Sequence, residues 1–139
     1  MTNAMDMSLA AEKYRDCGLA PIPLYPRSKR PMQNDWPNLV TDDSTEWPGN
    51  IGVKCGAPSS GVVDLDLDCA EARLLAPLVM PPTAACFGRA SALSSHRLYQ
   101  CEPPPEATRQ WVGDNGMILE VRSTGGQTMF PRPSTRAVS

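Results

Sequence analysis

An α+β fold, with a mixed or antiparallel sheet and short flanking helices, is what this sequence predicts. Three observations carry that expectation. Period-two alternation recurs in short stretches bounded by turn residues, which reads as strands joined mostly as hairpins. Only one helical stretch, residues 69–76, stands between strands as a crossover would. Fifteen prolines and ten glycines hold the elements short and leave little room for long helices.

The length of 139 residues suits one domain with a modest core. Hydrophobic content of 41% with 20% charged residues reads as soluble and globular. A formal net charge of −2 does not advertise a nucleic-acid binder, although a local basic groove would suffice for one. No apolar run approaches a membrane span, and the first residues lack the regions of a signal peptide, so a cytoplasmic protein is expected. Five cysteines without a C-x-x-C pair, beside a single histidine, argue against structural zinc and for buried free thiols.

Taken in order, residues 8–17 read as a helix capped by Ser8, striped by Ala10, Tyr14 and Cys17, and stopped by Gly18. Residues 19–25 read as an edge strand or an extended segment, because Pro21 and Pro23 cannot donate to a ladder. Lys29 and Arg30 stand in a basic turn where solvation is the default. Trp36 and Trp47 read as core or lid packing, with Thr41, Asp42 and Asp43 capping a short helical turn between them. Residues 50–56 are a second strand, expected to form a hairpin with the stretch that follows the turn at 58–61.

That next stretch, residues 61–68 (GVVDLDLD), is the most telling in the chain. Alternation puts Val63, Leu65 and Leu67 on one face and Asp64, Asp66 and Asp68 on the other. Carboxylates about 6–7 Å apart along a strand repel by about 2–3 kcal/mol at an effective dielectric of about 20. A row of three needs solvent, cationic side chains or a divalent metal, and Asp is a poor strand former besides. Such conflicts between propensity and placement mark functional sites. The bland reading is a strand wearing its acids on a wet face. A calcium loop is rejected, because Cys69 and Leu75 stand where it needs Gly and Glu.

Asp68 is positioned to cap a helix over 69–76, which Pro77 ends or kinks. Residues 83–87 read as a short strand and 88–91 as a polar loop. Residues 94–101 alternate again, with Ser94, His96, Leu98 and Gln100 on one face. A lone strand histidine is commonly a packed or surface residue. Ser94 on its face, with Arg89 and Arg97 close in sequence, makes His96 a functional candidate. Residues 102–106 are a polyproline-like connector, and 109–112 a helical turn holding Trp111. In residues 117–123, Ile118, Glu120 and Arg122 share one face and Met117, Leu119 and Val121 the other. A turn at 124–126 leads to 127–130, expected to close a hairpin, and residues 131–136 read as unstructured.

Three strands thus carry polar groups on one face: Asp64 and Asp66, Ser94 and His96, Glu120 and Arg122. Carboxylates from two strands suit two hard cations, Mg²⁺ or Mn²⁺, in the arrangement used for displacement at phosphorus. His96 and the arginines suit a triphosphate.

In the order and spacing of its pieces the sequence resembles the bifunctional primase/polymerase domain of phage and plasmid replication proteins, in the archaeo-eukaryotic primase superfamily. The pieces are LAAEKYRDCGLAPIPLYP, SKRP, NIGVKCG, SGVVDLDLD, FGRASALSSHRLY and LEVRSTGGQTMFP. The resemblance implies a sheet like that of the RNA-recognition motif, and primer synthesis and DNA extension from nucleoside triphosphates on a single-stranded template. It makes Asp64 and Asp66 the metal-binding D-x-D motif, Glu120 the third acidic ligand, and Ser94 and His96 the nucleotide-binding S-x-H motif. Lys29, Arg89 and Arg122 follow as phosphate contacts, and Asp68 as a reserve that orients the ligands. Such domains run on past the third motif and are commonly fused to a helicase. One catalytic domain over 1–139, cut short at its C-terminal end, is therefore expected, with a helicase as partner. Competing readings are a nucleotide- or single-strand-binding module without turnover, a haloacid dehalogenase-type phosphatase, and a purely structural α+β domain.

Overall fold

The computed structural model describes residues 4–131. The expected α+β fold is present, as two helices and two antiparallel sheets of three and five strands. The chain folds as two compact units. One runs to Lys54 and resumes at Gln127; the other is Cys55–Gly126.

In the first unit, α1 (Ala4–Asp16) begins a turn earlier than expected, so Ser8 lies inside the helix and does not cap it. Its end is as the sequence suggests. Gly18 adopts φ 84°, its N–H reaching Arg15 O and that of Leu19 reaching Tyr14 O, which satisfies two of the last carbonyls. Met7, Ala10 and Ala11 bury against Trp47 and Ile51, with Tyr14 alongside, whereas Cys17 is exposed and off the stripe. Of the five free thiols only Cys55 is buried.

β1 (Ala20–Pro23) is the edge strand its prolines require. It pairs with β2 (Ile51–Lys54), whose other side takes β8 (Gln127–Met129). No helix follows Thr41. Its hydroxyl donates to Pro21 O, and Asp42 Oδ1 accepts from Ser44 N to make a side-chain turn instead.

In the second unit β3 (Val62–Leu67) is central in the order β4-β5-β3-β7-β6. β4 is Cys86–Arg89, β5 is Ala92–Gln100, β6 is Arg109–Gly113 and β7 is Gly116–Arg122. Every neighbouring pair is antiparallel, which leaves β4 parallel to β3 and makes α2 (Ala70–Val79) the one crossover. Leu65 and Leu67 pack on Ala76 of α2, with Ala72, Met80, Tyr99, Leu119 and Val121 around them. The β3–α2–β4–β5 run agrees with the RNA-recognition-like expectation. Beyond β5, among the described residues, a proline-rich connector stands in place of a second helix.

Both expected hairpins fail for one reason: each strand has two hydrogen-bonding edges, and other partners fill them. β2 is taken by β1 and β8, and β3 by β5 and β7; the expected hairpin survives as an isolated Gly56–Val62 bridge within the second unit. Gly56 (φ 78°) turns the chain there, packed so closely that a Cβ would sit 2.2 Å from Thr124 N. Likewise β7 is occupied by β3 and β6, and β8 pairs with β2.

Smaller corrections follow. Cys69, not Asp68, caps α2, its sulfur accepting from Ala72 N at 3.4 Å. Pro77 lies inside the helix, which closes past it through Met80 N to Ala76 O. β4 is shifted onward, so Gly88 and Arg89 are strand residues rather than loop. Residues 109–112 are strand, not helical turn, since Asp114-Asn115 makes a two-residue connection between Gly113 and Gly116. The expectation for 131–136 lies, after Pro131, outside the described residues. No described helix is long and apolar enough to cross a membrane.

Candidate active site

Cross-strand register assembles the site. Asp66 stands opposite His96 of β5 on one side and Glu120 of β7 on the other. His96 in turn faces Phe87 of β4, and Glu120 faces Gln110 of β6. Directly opposed residues share a sheet face. One row, Phe87–His96–Asp66–Glu120–Gln110, therefore crosses all five strands, on the face opposite the leucines of β3. Asp64 and Arg122, themselves a direct pair, stand one step along it.

The side chains in this row touch. His96 Nδ1 is 2.8 Å from Asp64 Oδ2 and 3.7 Å from Asp66 Oδ1. Arg122 Nη2 is 2.9 Å from Asp66 Oδ2, Nη1 is 3.9 Å from Asp64 Oδ2, and Nε donates to Glu120 Oε1. Gln110 Nε2 donates to the other oxygen, Glu120 Oε2. The Phe87 ring stacks on the imidazole with centroids 4.7 Å apart and planes 13° from parallel.

Burial sets the electrostatics. Asp64 is fully buried and Asp66 nearly so, which answers the wet-face reading of these two acids. Burial pushes the Asp66 carboxyl above the usual carboxylate range. His96 and Arg122 pull it down, and the charges on Asp64 and Glu120 push it further up. Asp68 is raised by desolvation and then by Asp66 and Glu120. Burial would raise Glu120 too, but the hydrogen bonds from Arg122 and Gln110 outweigh it and hold that carboxyl low. Burial works against the Arg122 charge, and Glu120, Asp66 and Asp64 more than restore it.

Of the sequence candidates, Asp64, Asp66, Glu120, His96 and Arg122 come together. Ser94 does not join them in hydrogen bonding. It is exposed, with φ 54°, where β5 holds extra residues opposite Gly88. Arg89 is exposed at the end of β4, and Lys29 is exposed in the first unit. Phe87 and Gln110 escaped the sequence reading. The Asp114-Asn115-Gly116 turn signal held the clue to Gln110, because a tight hairpin there carries residue 110 back beside Glu120.

Three carboxylates against one guanidinium leave a formal charge of −2 before any charge on the imidazole is counted. That all-oxygen, over-negative donor set fits Mg²⁺ or Mn²⁺. As the side chains stand, no three ligating groups among the described residues surround one point, because Arg122 bridges the carboxylates instead.

The profile of the bifunctional DNA primase/polymerase N-terminal domain matches residues 10–138. The chain belongs to this family. Comparison with curated proteins gives no match. The primase/polymerase match spans every strand of the site, and it implies DNA and nucleotides as substrates. It favours a nucleotidyltransferase over the phosphatase and the purely structural domain.

Proposed function

We propose that this row is the active site of a two-metal nucleotidyltransferase, which extends DNA from nucleoside triphosphates on a single-stranded template. The observation that carries the reading is the convergence of Asp64, Asp66 and Glu120 from two adjacent strands of a primase/polymerase domain. These three would hold Mg²⁺ or Mn²⁺. The bound cations would lower the pKa of the 3′-hydroxyl and stabilise charge on the departing pyrophosphate.

The remaining groups bind and orient. Asp64 engages Nδ1 of His96 and Phe87 fixes its ring, so the imidazolium form would present its second N–H to a phosphate oxygen. Arg122 supplies a fork for the triphosphate. Ser94 and Arg89, exposed on the sheet of the site, are lesser nucleotide contacts, and Lys29 is a separate phosphate-contact candidate of the first unit. The same reading makes the chain one catalytic domain of a phage- or plasmid-type cytoplasmic replication protein, with a replicative helicase on the same template.

A second reading, a nucleotide- or single-strand-binding module without turnover, is favoured by the closure of the carboxylates around Arg122. Primer extension with deoxynucleotides and Mg²⁺ or Mn²⁺ separates the two. Extension by the wild type should fall by about three orders of magnitude in Asp64→Ala and Asp66→Ala, the scale of losing a charge-stabilising group. Nucleotide binding without incorporation would instead establish the binding module.

A further inference from the structure

Both oxygens of Glu120 are engaged. Oε1 accepts from Arg122 and Oε2 from Gln110, while Arg122 also holds Asp66 Oδ2 at 2.9 Å. A cation shared by Asp66 and Glu120 would meet the guanidinium that spans them, because two positive groups held between the same carboxylates repel each other. Electrostatics favour an exchange, because one positive charge leaves the group at −2 and a divalent ion compensates it further. Arg122 has water to turn toward, being the last residue of β7 and carried on a long side chain that is 22% exposed.

We infer that Arg122 is a resident counter-ion that changes places with the catalytic cation. It closes the acidic row before metal arrives, then releases Asp66 and Glu120 and turns to the triphosphate. This inference rests on the metal reading of the site.

The test is Mn²⁺ binding by calorimetry, without nucleotide, on the full chain and its Arg122→Gln, Arg122→Lys and Asp66→Asn variants. Removing the competitor should tighten Mn²⁺ binding in Arg122→Gln by about tenfold, with Arg122→Lys in between. Triphosphate affinity measured with Mn²⁺ present should weaken by about tenfold in Arg122→Gln. Unchanged or weaker Mn²⁺ binding in Arg122→Gln overturns the exchange. Should that variant unfold without metal, Mn²⁺ should restore its circular dichroism where sodium chloride of equal ionic strength does not. Failure to restore it, with Arg122→Lys no tighter than wild type, also overturns the exchange. No Mn²⁺ binding by the wild type, or equal binding by Asp66→Asn, removes the metal reading itself and the exchange with it.

Discussion

The two faces of β3 are shielded almost equally and by opposite physics. Leu65 and Leu67 keep 8% and 2% of their surface exposed, and Asp64 and Asp66 keep 0% and 8%. On the leucine face burial is itself the driving force, worth about 1.5–3 kcal/mol per side chain and indifferent to direction. On the aspartate face burial costs several kcal/mol per ion and is offset only by partners in fixed geometry. One face therefore answers to volume, while the other answers to single atoms and to net charge. The lesson is that shielding alone does not distinguish core from site.

Leu67→Ala should give the largest effect on the apolar side. A buried leucine truncated to alanine costs about 2–5 kcal/mol, because a cavity remains under α2. Chemical denaturation should show that loss while leaving the pH dependence of stability unchanged. A shifted pH dependence would mean that the two faces are coupled through the strand.

On the acidic side a smaller change of opposite sign is expected. The Asp66 carboxyl is raised in the folded protein, chiefly by burial. Its raised pKa stabilises the fold fully below the ordinary carboxylate range, and this contribution is lost as pH climbs through the folded value. In metal-free protein, Asp66→Asn should be more stable than wild type near neutrality by about 1 kcal/mol, with the gap closing in acid. A variant less stable at neutral pH would show that the pairing with Arg122 outweighs the burial of Asp66.

The smallest effect on stability, about 0.5 kcal/mol, is expected for Phe87→Leu, which keeps most of the apolar area and loses the aromatic pair, a contribution of about 0.5–1.5 kcal/mol beyond area. Its readout is His96. Proton NMR should show the imidazole ring resonances displaced, since the stacked ring no longer shields them. An unaltered histidine would make Phe87 a core residue only.

Much of this was legible in the sequence, and the limit has a physical cause. Alternation in residues 61–68 and 117–123 assigned the faces of β3 and β7 correctly, because a period of two is a local property. The gathering of Asp64, Asp66, His96, Glu120 and Arg122 followed from those faces and the family resemblance. Partner choice was not legible. Turn signals beside Gly56 and Gly125 suggested hairpins, yet which edge a strand offers is settled by all its competitors at once. Trp111 shows a second limit. Four residues, RQWV, fit a helical turn or a strand equally, and only the hairpin at 114–115 decides between them. Cys69 took the cap from Asp68 because a one-residue difference in helix start lies beyond what propensity resolves.

The row across the sheet is a matter of odd and even, and this frees the distances between its parts. The connectors at 80–85 and 101–108 lie outside the strands, so residues added there leave His96 and Glu120 facing Asp66. One residue added inside β3 does the reverse: beyond it, leucines would turn into the acid pocket and carboxylates into the core. Relatives of this chain should therefore vary widely in the length between motifs and hardly at all in the parity within them.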